Sequence, residues 1–363
     1  MSKPHPAIAR AEAFCRLYRL RIPVLLAPMA GACPPSLSIA VAGAGGLGGC
    51  GAVAMRPAQI RAWASEFRAG CHDGSFQLNL WIPEGAPPRR DAAVEAAMRE
   101  FLGRWGPEVA ADAGDYARPD FDGQCEALLE AEPAAISSIM GLYPAAFVER
   151  FKARGIRWFA TVTTVTEARM AAAAGADAIV AQGMEAGGHR GAFDAARAER
   201  ELVGLSALLP AVVDAVKVPV IAAGGITDAR AVAAALILGA SAVSVGTGFL
   251  RCPEAKLPAA WADAIGASPP EGTLITRAFS GRPGRSLATE YARAAAAPDA
   301  PAPAAYPVQS GLTQAMRTRA LEANRLDGIS AWAGQAASRA QARPAAELAR
   351  ELWSGARALL EPQ

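Results

Sequence analysis

The sequence is poor in the residues on which several common enzyme chemistries depend. It contains three histidines among 363 residues, and its six cysteines stand singly, with no CxxC pair and no regular spacing. Scattered cysteines exclude a disulfide framework and indicate free thiols in a reducing compartment. The metal-binding patterns HxH and HExxH, the hydrolase motif GxSxG and the phosphate-binding P-loop are absent as well. We therefore expect no bound metal and no covalent thiol mechanism.

The chain also has little net charge and no long apolar run. Its 36 basic and 34 acidic residues give a formal charge of +2, which offers no basis for binding nucleic acid or a membrane surface. Its richest apolar stretches, such as 231–240, are too short to span a bilayer, and charged residues interrupt the N-terminal segment. The sequence therefore predicts a cytoplasmic protein, monomeric or homodimeric, without nucleic-acid or membrane partners.

What the sequence does contain is a regular alternation of short apolar runs and alanine-rich segments. The alanine-rich segments 166–175 and 227–240 begin at a capping residue and end at or near a glycine, as helices do. Apolar runs that hardly alternate are typical of parallel strands buried on both faces. The eight predicted strands are 22–27, 46–50, 76–81, 134–139, 156–162, 178–182, 220–223 and 242–245.

Eight strand–helix repeats predict an α/β protein with a (β/α)8 TIM barrel. An open, doubly wound sheet is the alternative, and it is disfavoured because no GxGxxG follows the first strand. We assign residues 1–255 to the barrel, with an insertion at about 82–132 after the third strand. Residues 256–363 form a C-terminal helical extension that packs on the barrel and closes the active site. Within it, the low-complexity stretch 292–307 is predicted to be extended and mobile.

Two glycine-rich turns follow the seventh and eighth predicted strands. Such turns let main-chain amides point at an anion, and this position is where TIM barrels commonly bind phosphate. A plain turn is the alternative for each one alone, but two on adjacent strands favour a phosphate site. The residues concerned, in "AAGGITD" and "SVGTGFL", are Gly224, Gly225, Ser244, Val245, Gly246 and Thr247.

Two further strand ends carry candidate binding groups. Ala27, Pro28 and Met29 follow the first strand, where they form either a tight turn or a narrow ledge for a flat ring. Asn79 lies in the third strand, "QLNLW", and a buried amide needs a hydrogen-bonding partner. That partner is either a neighbouring loop or the polar edge of a ligand.

The segment "QGMEAGGHRG", residues 182–191, holds the best catalytic candidate. Gln182 ends the sixth predicted strand, and Gly187 and Gly188 precede His189. A glycine-rich loop offers a histidine little apolar packing, and an unperturbed pKa near 6.5 suits imidazole for proton transfer. We therefore predict that His189 is catalytic, either as a base or as the anchor of an anion, and that Gln182 contacts a heterocycle.

Together, "APMAG", "QLNLW", "QGMEAGGHRG", "AAGGITD", "GTGFL" and "ITRAFSGRPGR" resemble the bacterial, FMN-dependent class of nitronate monooxygenases, formerly called 2-nitropropane dioxygenases. The resemblance implies a non-covalent FMN. Its phosphate would lie on the two glycine turns, and its ring would meet residues 27–29, Asn79, Gln182, Gly187 and Gly188. One departure is that many relatives carry glutamine and methionine where Ser244 and Val245 stand here.

The resemblance also implies the reaction, in which an alkyl nitronate and O2 yield a carbonyl compound and nitrite. Propionate 3-nitronate is the substrate that the family suggests. Arg277, Arg282 and Arg285 belong to one basic segment, and they either line the mouth of the pocket and attract an anion or cap helix ends. Arg277 and Tyr306 are then candidate substrate-binding residues. Two alternatives remain. One is an NAD(P)H-dependent quinone or enoyl reductase on the same barrel, and the other is a non-catalytic FMN-binding subunit.

Overall fold

Parallel strands close into a barrel in the computed structural model of the protein, which describes residues 5–85 and 89–361. Residues 1–4, 86–88 and 362–363 of the predicted barrel, insertion and extension lie outside this description. The strands are β1 (Val24–Leu26), β2 (Leu47–Gly51), β3 (Ser75–Trp81), β4 (Ala135–Ile139), β5 (Arg157–Val162), β6 (Ala178–Gln182), β7 (Gly188–His189), β8 (Val220–Ala223), β9 (Ala242–Val245), β10 (Thr273–Thr276) and β11 (Gly284–Leu287).

The barrel order is β1-β2-β3-β4-β5-β6-β8-β9, and β9 pairs with β1 to close the ring. The predicted TIM barrel is confirmed, and each of the eight predicted strands overlaps one barrel strand. Side chains on alternate positions enter different cores. Leu25 packs inside the barrel, whereas Val24 and Leu26 pack between the strands and the surrounding helices. Both faces are therefore buried, which accounts for the nearly continuous apolar runs.

Helices surround the barrel and extend beyond it. They are α1 (Pro6–Tyr18), α2 (Pro35–Gly43), α3 (Pro57–Gly70), α4 (Ala92–Leu102), α5 (Phe121–Glu130), α6 (Ala145–Ala153), α7 (Val165–Ala173), α8 (Leu205–Ala215), α9 (Ala229–Ile237), α10 (Ala259–Ala267), α11 (Glu290–Ala294), α12 (Val308–Leu312), α13 (Gln314–Glu322) and α14 (Ala345–Leu360). None of those in the described ranges has both the length and the apolar character that crossing a membrane requires.

The C-terminal extension contains strands as well as helices. β10 and β11 form an antiparallel pair, and β11 also pairs with β7, which lies in the loop after β6. The extension therefore adds a three-stranded sheet over the loop that carries His189. The prediction that 292–307 is extended is wrong at its start, because α11 reaches Ala294.

Apolar clusters attach the extension to the rest of the chain. Met98 and Phe101 of α4, in the insertion after β3, share a buried cluster with Phe279 and Tyr291 of the extension. The last helix, α14, contributes side chains such as Leu352 to the main barrel core. The insertion and the extension thus meet each other, while α14 returns to the barrel.

Candidate active site

The two glycine turns after β8 and β9 present main-chain amides without partners. Gly224 and Gly225 have φ angles of +114° and +69°, a region that favours glycine. The N–H groups of Gly224, Gly225 and Thr247 donate to no other described residue, and the buried Thr227 Oγ1 has no hydrogen-bonding partner among the described residues. Asp228 caps α9 by accepting from Ala231 N at 3.0 Å. These donors suit an anion at the end of the barrel.

The predicted ledge after β1 lies beside the second of these turns. A Cβ atom built on Gly246 would be 3.3 Å from Met29 Sδ and 3.4 Å from Ala27 Cβ. Ala27 N also donates to Val245 O at 2.9 Å. The Val245 side chain packs in the main core between strands and helices, so this residue offers the site only its main chain. Ser244 is buried in β9.

Asn79 already has a protein partner inside the barrel. Its Nδ2 donates to Ser137 Oγ at 3.1 Å, across the pair of strands β3 and β4. The protein partner is therefore a serine of the adjacent strand and not the expected neighbouring loop.

Gln182 holds the histidine loop through both ends of its amide. Nε2 donates to His189 O at 3.1 Å, and Oε1 accepts from Gly191 N at 2.8 Å. Gly187 lies against the extension, because a Cβ there would be 2.6 Å from Gly334 N. Gln182 therefore positions His189, and Gly187 permits a close approach between the loop and the extension.

His189 is surrounded by aromatic rings and one hydroxyl. Nε2 and Ser280 Oγ are 2.7 Å apart and share a hydrogen bond. The imidazole centroid lies 4.6 Å from both the Trp81 and the Trp332 ring. Burial, followed by the charges of Arg282 and Arg317, lowers the pKa of His189 to about 3. His189 is therefore neutral near pH 7.

Tyr306, from the extension, joins the same cluster. Its ring centroid lies 5.6 Å from that of Trp81, and its hydroxyl accepts from Arg118 Nη1 at 3.1 Å. The Arg118 and Arg282 guanidinium carbons lie 5.3 and 5.7 Å from the Tyr306 centroid. The structure thus places Tyr306 beside Arg282, one of the three arginines considered for anion binding, and beside Arg118, which the sequence did not single out.

Arg277, the other predicted substrate residue, is engaged elsewhere. Its Nε lies 3.1 Å from Glu199 Oε1, and its terminal nitrogens donate to Ala195 O and Gly281 O. These contacts fasten the loop 277–281 to residues 195–199. Arg277 therefore does not lie in the aromatic cluster. Arg282, five positions later, is the arginine of this segment that lies there.

Ser280, Trp81 and Trp332 were missed at the sequence level. Ser280 lies within the "ITRAFSGRPGR" segment, which had drawn attention to its arginines alone. Nearby, Gln309 Nε2 donates to Ala278 O at 2.7 Å, and Thr313 Oγ1 donates to Phe279 O at 2.7 Å. These two buried side chains hold the loop that carries Ser280.

Comparison with known proteins identifies the family of this chain. Residues 12–355 match the family described as nitronate monooxygenase. The chain belongs to the nitronate monooxygenase family. It is 39% identical to a nitronate monooxygenase of Pseudomonas aeruginosa over 94% of this chain and 98% of that protein. Identity is also 39% to a nitronate monooxygenase of Paraburkholderia phytofirmans, over 91% of each chain. These monooxygenases are oxidoreductases.

Solved structures of other proteins share the fold of this chain. A nitroalkane oxidase from Streptomyces ansochromogenes matches with a TM-score of 0.86 at 34% identity, over 95% of this chain and 100% of that one. FabK from Thermotoga maritima matches with a TM-score of 0.74 at 28% identity, over 96% of each chain. The similarity is thus greater to the nitroalkane oxidase.

Proposed function

We propose that this family member is an FMN-dependent nitronate monooxygenase that converts alkyl nitronates and O2 to carbonyl compounds and nitrite. The observation that carries the proposal is a neutral His189, bonded to Ser280 and flanked by two indole rings, beside a basic cluster. A site of this kind combines a proton acceptor with positive charge for an anionic substrate.

FMN fits the polar groups at the end of the barrel. The amides of Gly224, Gly225 and Thr247 and the Thr227 hydroxyl, which have no hydrogen-bonding partner within 5–85 and 89–361, would hold its phosphate. Residues 27–29, Gly187 and Gly188 would border its ring. When bound, FMN supplies the oxidation of the substrate and the transfer of electrons to O2.

His189 would handle the proton when the substrate is a neutral nitroalkane. A neutral imidazole accepts a proton from the carbon next to the nitro group, which converts the nitroalkane to its nitronate. Because His189 carries no charge near pH 7, it is a poor anchor for an anion. That role falls to the guanidinium groups near it, whose positive charge would also stabilise the nitronate that forms when the imidazole, a weak base at this pKa, takes the proton.

The test is an absorption spectrum of the purified protein before and after addition of propionate 3-nitronate in air, with nitrite assayed. We expect a flavin spectrum and stoichiometric or catalytic nitrite release. A yellow protein that forms no nitrite, and does not respond to any reductant, would support the non-catalytic subunit instead.

A reductase is the second candidate. The enoyl reductase domain of MlnA from Bacillus amyloliquefaciens shares the fold, with a TM-score of 0.65 at 13% identity, so the fold by itself is compatible with that activity. Anaerobic mixing with NADH separates the two. Rapid bleaching of the flavin by NADH, with no response to a nitronate, would favour the reductase.

A further inference from the structure

An ion pair joins two loops over the aromatic cluster. Arg282 Nη2 lies 3.0 Å from Glu84 Oε1. The two residues differ in their access to water, because the Arg282 side chain is 4% exposed and the Glu84 side chain is 44% exposed. Glu84 follows β3, and Arg282 lies between β10 and β11. The pair therefore spans the insertion and the extension.

The Arg282 guanidinium belongs to the site around His189. Its central carbon lies 5.7 Å from the Tyr306 ring centroid, and Tyr306 neighbours Trp81, which neighbours His189. Its charge also contributes to the lowered pKa of His189. An anion held by Arg282 would thus lie within the aromatic cluster.

The cluster around His189 carries more positive than negative charge. Arg118, Arg282 and Arg317 bring three positive charges, and the imidazole is neutral. Glu84 is the one carboxylate that forms an ion pair with any of these three arginines among the described residues. A buried guanidinium requires an acceptor, and Glu84 is exposed enough to return to water if another acceptor arrives.

We propose that Arg282 recognises an anionic group of the substrate and that Glu84 competes with the substrate for it. The proposal rests on the proposed function, which supplies as the anion a nitronate, with or without a carboxylate on the same molecule. Exchange of the Glu84 carboxylate for either anionic group preserves charge-assisted hydrogen bonds to Arg282. A neutral molecule of the same shape cannot make this exchange, because it would leave Arg282 without a counter-ion. Glu84 thereby makes entry selective for anions.

The test measures binding without turnover. Succinate is an unreactive isostere of propionate 3-nitronate, and succinamide is its neutral counterpart. Both are titrated by calorimetry into the flavin-containing wild type and into Glu84→Gln, Arg282→Gln and Glu199→Gln. The last is a matched control, because Glu199 is 43% exposed and pairs with Arg277 at 3.1 Å, outside the aromatic cluster. Thermal melting of each variant establishes that it is folded.

We expect Glu84→Gln to bind succinate about two- to fivefold more tightly than wild type, the range for a partly exposed ion pair. Arg282→Gln should bind it at least about tenfold more weakly. Glu199→Gln should match wild type, and succinamide binding should be the same for wild type, Glu84→Gln and Glu199→Gln.

The proposal is overturned if Glu84→Gln binds succinate no more tightly than wild type, if Glu199→Gln shows the same gain, or if succinate binds none of the proteins. Should Arg282→Gln fail to fold, the comparison of the two glutamate variants still decides. Nitrite release is measured separately. A protein that binds succinate as expected but forms no nitrite contradicts the proposed function alone.

Discussion

The hydroxyl of Ser280 lies 2.7 Å from His189 Nε2, although the two residues are 91 positions apart. Ser280 Oγ also accepts from Arg282 N at 3.2 Å. One hydroxyl therefore couples the histidine in the loop after β6 to the extension loop that carries the neighbouring guanidinium. The hydroxyl of Ser280 fixes the orientation of the imidazole, and it lies where the loop after β6 meets the extension loop.

Replacement of Ser280 by alanine tests this coupling. Loss of one hydrogen bond should lower kcat by about three- to tenfold, because the imidazole is no longer held in one orientation. Flavin content should not change. Steady-state kinetics with a neutral nitroalkane measure the effect, and Ser286→Ala, a buried serine of β11 whose hydroxyl donates to Leu287 O, is the control. Equal losses in both variants would mean that the effect is structural.

Replacement of His189 by alanine should abolish use of neutral nitroalkanes. A general base typically contributes about 10²- to 10⁴-fold, so turnover of a nitroalkane should fall by that order while a preformed nitronate is affected less. The flavin spectrum should be retained. His72→Ala, at an exposed turn, is the matched control and should behave as wild type. Nitroalkane turnover at the wild-type rate in His189→Ala would remove the base assignment.

The pH dependence distinguishes a base from a charged anchor. A general base becomes protonated, and so inactive, as the pH falls through its pKa. Burial and the nearby arginine charges lower the pKa of His189 to about 3. The neutral form therefore persists from pH 8 down to about pH 4. Between pH 5 and 8, kcat/KM for a neutral nitroalkane should show no decline on the acid side. An anchoring imidazolium would instead lose activity as pH rises through its pKa, and such a profile would contradict the assignment.

Substitution of Gly225 by leucine should yield colourless protein. Its φ of +69° strains any side chain, and the added atoms would enter the space proposed for the phosphate. Flavin content after purification is the measurement. Gly155→Leu serves as control, because Gly155 has a similar φ of +74° and nothing within 4 Å of an added Cβ. A yellow Gly225→Leu protein would exclude this turn as the phosphate site.

The barrel could be predicted from sequence because its signals are local. The strands are short apolar runs, several of them bounded by glycine, and this pattern places Gly224, Gly225 and Gly246 at strand ends. His189 could be singled out because it interrupts a glycine-rich loop. None of these inferences requires knowledge of distant contacts.

The cluster around His189 could not be predicted in the same way. β7 has two residues and pairs with β11 almost a hundred positions later. A strand this short leaves no periodic pattern in the sequence from which it could be predicted. Arg277 and Arg282 carry the same charge in one motif, and only their burial and their ion-pair partners in the folded protein distinguish them. The neighbours of Trp81, His189 and Tyr306, come from positions far from it in the sequence.

Flavin binding and catalytic activity depend on different segments of the chain, because the three-stranded sheet is what orders His189. Every residue proposed to hold the flavin phosphate precedes position 250, whereas β7 keeps its partner only if β11 is present. A chain cleaved within the extension, with α14 still packed on the barrel, would keep the turns proposed to bind the flavin phosphate while β7 loses the strand that orders His189. The ratio of flavin to protein would then overstate the fraction of active enzyme. The integrity of residues 284–287 is a better measure of that fraction.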